Sequence, residues 1–155
     1  MYVMSKRNSG RTGSTGFTLI EMMLSIALIA IIAGLSAPVY QSFQTRNDLD
    51  IVAVTIAHSL RRAQLLAQAS DGDSSWGVAV QASGISLFKG ISYVARDASY
   101  DEIFDLPGSL TPSGVSEIVF AKFTGLPQTT GTVTITSNTN EIRSITINQK
   151  GMVAY

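Results

Sequence analysis

The apolar positions of this chain pass through three regimes. From Met22 to Thr45 there is no charged residue, and Ile26 to Leu35 is almost wholly aliphatic. At ~1.5 Å per residue this uncharged run reaches about 36 Å as a helix, against a hydrocarbon core of about 30 Å. Further on, Leu49, Val52, Ile56, Leu60, Ala63 and Ala67 recur at spacings of three and four, while Asp50, His58, Arg61, Gln64 and Gln68 fall elsewhere. That is the signature of an amphipathic helix with one buried face. The two regimes predict one long helix, apolar and then amphipathic, running to about Ala69. The polar loop Ser70-Asp71-Gly72-Asp73-Ser74-Ser75 ends it.

From Trp76 the period falls towards two. Trp76 to Gln81 and Ile85 to Lys89 flank a turn at Ala82-Ser83-Gly84, and Ile91 to Ala95 is expected to extend them into a meander. Val115 to Lys122, Thr132 to Thr136, Ile142 to Asn148 and Met152 to Tyr155 supply four more candidate strands, with turns at Asn138-Thr139-Asn140 and Gln149-Lys150-Gly151. Alternation is clearest in 132–136 and 142–147, where one face is apolar and the other polar. Asp97 to Gly114 holds Pro107, Gly108, Pro112 and several acidic residues, and reads as an irregular excursion between two small sheets. The expected fold class is therefore α+β: a long N-terminal α-helix, transmembrane and then amphipathic, packed on a small antiparallel β domain.

A chain of 155 residues suits one domain plus an appended element. Its formal charge of zero hides an asymmetry. Lys6, Arg7 and Arg11 are the only charges before Gly16, so removing that stretch takes three of the eleven basic residues and leaves eight against eleven acidic ones, a net charge of −3. Basic residues before the apolar run, with none after it until Arg46, place the N-terminus in the cytoplasm and the rest outside. Beyond Arg61-Arg62 no basic run exists, so the electrostatic footprint of a nucleic-acid binder is missing.

Three kinds of segment compete for the apolar run. A secretory signal is cut after its apolar region at a small-x-small site, and Ser36-Ala37-Pro38 places proline badly for that. A plain membrane anchor has no reason to carry Glu21, because a carboxylate costs about 2.5–3.5 kcal/mol near a bilayer centre and somewhat less near its edge. The third kind is carried by the residues themselves. Gly16-Phe17-Thr18-Leu19-Ile20-Glu21, followed by Met22-Met23-Leu24-Ser25-Ile26-Ala27-Leu28-Ile29-Ala30-Ile31-Ile32-Ala33, resembles the class III signal of type IV pilins and type II secretion pseudopilins.

The resemblance implies that a prepilin peptidase cuts between Gly16 and Phe17 and methylates the new amine of Phe17. Glycine suits that cut, since no side chain blocks approach to the backbone. It further implies that Glu21 pairs with the terminal amine of a neighbouring subunit and sets the register of assembly, an ion pair giving more specificity than stability. Gly34 and Pro38 fit a helix breaker, where a missing backbone bond and a ring clash predict a kink or local melting. The chain then divides into a leader (1–16), a transmembrane and filament-core segment (17–39), an amphipathic continuation (40–69) and an exported β-rich domain (70–155). The implied partners are the prepilin peptidase, other pilin or pseudopilin subunits, and an inner-membrane platform protein with its ATPase. Val119-Phe120, Gly125 and Lys150-Gly151-Met152-Val153 resemble, by spacing, pseudopilin H and FimT-type minor pilins, which implies a minor subunit.

Other chemistry finds little support. Without cysteine there is no disulfide, thiolate site or cysteine nucleophile. His58 is the sole histidine and reads as a surface or interface residue. No nucleophile elbow, zinc-protease motif or phosphate-cradling loop occurs, so neither enzyme activity nor a cofactor is expected. Asp71 and Asp73, and the group Asp97, Asp101, Glu102 and Asp105, lack the full calcium-loop pattern and read as solvated acidic loops, so no metal is expected. The alternative function is a membrane-tethered module binding DNA or substrate in a DNA-uptake apparatus. It would depend on Lys122, Arg143 and Lys150, three scattered cations on an acidic domain.

Overall fold

The computed structural model of the protein describes residues 16–155, with the side chains at 35–39 and 41 outside that description. The expected leader, with Lys6, Arg7 and Arg11, lies outside the described residues up to Gly16. Two compact units make up the chain, Met1–Val39 and Tyr40–Tyr155. One helix, α1 (Leu19–Gln68), contributes to both and stops one residue short of the predicted Ala69.

In the first unit every large apolar side chain described from Phe17 to Ile32 is 52–78% exposed. A helix that is apolar all round needs an apolar medium or neighbours to cover it. Among the described residues, however, no helix is long and apolar enough to cross a membrane. The fully described apolar stretch runs only from Leu19 to Gly34, short of the roughly 20 residues a span requires. A transmembrane helix over 17–39 is therefore not a feature of the described residues.

In the second unit the amphipathic pattern holds at every predicted position. Leu49, Val52, Ile56, Leu60, Ala63 and Ala67 are all buried, joined by Ala53 and Ala57. They meet two antiparallel sheets of four strands each. The first is ordered β3-β2-β1-β5, from β1 (Trp76–Gln81), β2 (Gly84–Lys89), β3 (Asp97–Phe104) and β5 (Glu117–Phe120). The second is ordered β4-β6-β7-β8, from β4 (Leu110–Gly114), β6 (Gly131–Ser137), β7 (Ile142–Ile147) and β8 (Val153–Ala154). Alternate residues of both sheets, among them Val78, Leu87, Ile118, Phe120, Val133, Ile135, Ile145 and Ile147, complete one core with the helix. Each such side chain contributes about 1.5–3 kcal/mol on full burial.

Two expectations are corrected. Residues 91–95 are not a strand. They form a loop that brings Tyr93 onto Phe88, edge to face with ring centroids 5.6 Å apart, and so covers a small second core of Ala79, Phe88 and Val119. Conversely, 97–114 is not irregular, since it contains β3 and β4. Both are edge strands. An edge position tolerates Pro112, whose missing N–H breaks no internal ladder, and lets the acidic residues of β3 reach solvent or a counter-charge.

Candidate processing and assembly site

α1 begins at Leu19, immediately after Thr18. The Thr18 hydroxyl oxygen accepts the backbone N–H of Glu21 at 3.3 Å, and the Thr18 carbonyl accepts the N–H of Met22 at 3.2 Å. Thr18 is thus the cap of the helix, and Glu21 occupies the third helical position, where a negative charge meets the positive end of the helix dipole. A threonine followed three residues later by glutamate is half of a capping box. Here the glutamate does not complete it. Among the described residues the Glu21 carboxylate makes no hydrogen bond or ion pair, although the carbonyl of Glu21 accepts the hydroxyl of Ser25 at 2.7 Å.

Gly16, Phe17 and Glu21 therefore lie within about one turn of each other at the exposed start of α1. Phe17 is exposed, and no side chain stands within 4 Å of where a Cβ on Gly16 would be. Gly34 is equally open. Pro38 lies inside α1 with its side chain outside the described residues. Thr18 was missed in reading the sequence, and the signal that would have found it is the spacing Thr18-x-x-Glu21.

The second unit fixes the rest of α1 through ion pairs that periodicity does not reveal. Arg46 donates to Glu141 at 2.6 Å and Arg143 to Asp50 at 2.8 Å, tying the helix to the end of β7. Arg62 meets Glu102 on β3 with two N–H donors, at 2.7 and 2.6 Å. At the far end of α1 the N–H of Phe123 reaches the carbonyl of Ala67 at 2.9 Å, so a loop satisfies one of the helix's terminal acceptors.

Several of the candidate cation and metal residues form ion pairs or hydrogen bonds of their own. Lys122 pairs with Asp73, which holds the Asp73 carboxyl below its ordinary range through the hydrogen bond and the adjacent charge. Asp97 accepts from the hydroxyl and N–H of Ser99, and those bonds also lower its pKa. Asp101 receives Arg96 at 2.6 Å, a contact that raises the pKa of the guanidinium, and Arg96 also stacks over Tyr93 at 3.8 Å. Among the described residues no three acidic or histidine side chains come together to hold a metal ion. Of the three cations considered for DNA, Lys122 and Arg143 are committed to acidic partners, which leaves Lys150.

Against this geometry the comparisons are specific for the N-terminus. Residues 11–37 match the family described as the prokaryotic N-terminal methylation motif. This is the type IV pilin and pseudopilin signal. It spans Gly16, Phe17, Thr18 and Glu21, and it supports a pilin-like or pseudopilin-like reading of the chain. No curated protein and no solved structure matches the chain significantly.

Proposed function

We propose that the chain is a structural subunit, a minor pilin or pseudopilin, of a type IV pilus or type II secretion system. A prepilin peptidase cleaves between Gly16 and Phe17 on the cytoplasmic face and methylates the Phe17 amine. The apolar part of α1 holds the subunit in the inner membrane until a platform protein and its ATPase move it into a growing filament. The helix then exchanges lipid for the helices of neighbouring subunits, and Gly34 and Pro38 allow it to stretch locally.

The observation that carries this reading is Glu21. Among the described residues it is a carboxylate without a partner, one turn from the proposed processing position, on a helix surface that is otherwise apolar and exposed. A charge in such surroundings is tolerated when an opposite charge meets it, and the terminal amine of an adjacent subunit is an opposite charge at the matching depth. Glu21→Val tests it in cells that carry the peptidase. The variant is cleaved after Gly16 as the parent is, but its incorporation into sheared filaments falls by roughly two to three orders of magnitude, because the neighbour's amine is left buried and unpaired at about 3–5 kcal/mol. Incorporation at the parental level refutes the register role. The role of this subunit is structural, and no feature of the second unit favours DNA binding.

A further inference from the structure

The edge of a β-sheet is a row of unpaired backbone donors and acceptors, and folded proteins blunt the edges they leave in solvent. The sheets of the second unit end on β3, β5, β4 and β8, and three of these edges are blunted. β4 carries Pro112, which has no N–H to offer, and β8 is only two residues long. β5 is met by the segment that follows it, where Pro127 bridges Phe120 and the N–H of Gln128 reaches the Val119 carbonyl at 2.8 Å. β3 differs. A bulge turns its first half aside, because the register slips between Leu87, opposite Glu102, and Lys89, opposite Asp97. Its second half, 102–104, stays in register with β2, and among the described residues no strand pairs with its outer side.

The pairing also fixes which backbone groups that half leaves free. The tight turn at Ala82-Ser83 makes Gln81 and Gly84 a hydrogen-bonded pair, so Ile85 and Leu87 turn their backbone groups to Phe104 and Glu102. The N–H and C=O of Ile103 therefore point outward. Alongside runs a groove between α1 and β3, formed by two adjoining cavities of ≈ 330 and ≈ 370 Å³ that share Thr55 and Phe104. Val54 and Phe104 make it apolar, the Arg62–Glu102 pair closes one end, and Asp48 and Asp105 stand at the other. Neither of those two carboxylates has an ion pair or hydrogen bond among the described residues.

We infer that β3 takes up an extended peptide as an added antiparallel strand, one whose side chains on the α1 side are basic and then apolar. The peptide backbone exchanges hydrogen bonds with Ile103, and the groove selects the sequence. Basic side chains meet Asp48 and Asp105, while apolar ones lie against Phe104 and Val54. The unpaired acids thus set both the charge and the direction of the strand. A helix laid in the groove would leave the Ile103 groups unused, which favours the strand as occupant. This binding goes beyond the proposed function and rests on the second unit alone.

The probe is the end-blocked, dye-labelled peptide Thr-Lys-Thr-Lys-Thr-Val-Thr-Val, titrated with the full-length protein in detergent and followed by fluorescence anisotropy against detergent alone. Saturable binding is expected, and replacing both lysines by glutamate weakens it about ten-fold. N-methylation of the threonines, whose amides face β3, also weakens it about ten-fold while leaving every side chain in place. On the protein, Ile103→Pro removes the outward N–H at an edge position that tolerates proline, and lowers affinity about five-fold. Asp105→Lys lowers it about five-fold for the lysine peptide and raises it for the glutamate peptide. Absence of saturable binding, or equal binding of the lysine and glutamate peptides, overturns the inference. Undiminished binding of the N-methylated peptide shows a helix or loose chain in the groove and overturns the added strand, as does a folded Ile103→Pro variant that binds like the parent. Should that variant fail to fold, the two peptide comparisons on the unaltered protein decide the matter.

Discussion

Thr18 and Glu21 share one turn of helix and serve different ends. Because the Thr18 hydroxyl already holds the N–H of Glu21, the cap forms without the glutamate side chain, and the carboxylate is left available to another molecule. A sequence reader sees Glu21 as costly and asks what repays it, while Thr18 draws no attention because a hydroxyl at a helix start is ordinary. Elsewhere single residues carry the fold by their backbone. Gly114 closes β4 at a φ of 86°, and a Cβ there would stand 2.2 Å from the carbonyl oxygen of Thr132 on β6. Any side chain must displace backbone, not a flexible neighbour. Gly114→Ala is expected to destabilise the full-length protein by about 2–3 kcal/mol, read from urea unfolding in detergent. An unchanged midpoint would show that the strand end adjusts freely.

At the scale of elements, α1 was legible because its buried face repeats without exception. All six predicted core positions are buried, and the polar loop stops the helix within one residue of the expected end. β6 and β7 were legible for the related reason that each buries one face and alternates. β3 was not. Its residues are exposed or half-buried along their whole length, so no period of two exists to be read, and its acidic residues argue for a loop. What holds it is β2 on one side together with Arg62 and Arg96 above and beside it, and sequence separation hides those pairings. Residues 91–95 mislead in the opposite sense: Ile91, Tyr93 and Val94 look like a strand, but Tyr93 is spent on covering Phe88 while Glu117 accepts its N–H at 2.7 Å. The helix face can be tested by contrast. Ile56→Ala is expected to cost about 2–5 kcal/mol and Leu65→Ala, on the exposed side, less than about 0.5 kcal/mol, by the same unfolding measurement. Equal costs would mean that the core lies elsewhere on the helix.

For the whole molecule, the two units present two kinds of surface. The second buries its apolar side chains in a core of its own, while the first leaves its apolar side chains outward and carries the methylation motif across residues 11–37. Under the proposed function, the first surface would have to fit a peptidase, a bilayer and other helices, whereas a β domain needs only a packed interior and can vary its exterior. The methylation motif was legible from that short segment, but the ion pairs and the groove that equip the second unit were not, because they join residues far apart in sequence. The account depends on processing at Gly16, and the mass of the mature full-length protein, with its N-terminal peptide sequenced, tests that most directly. It predicts a chain beginning at N-methylated Phe17. A mature protein that retains Met1, or begins well away from residue 17, would contradict it.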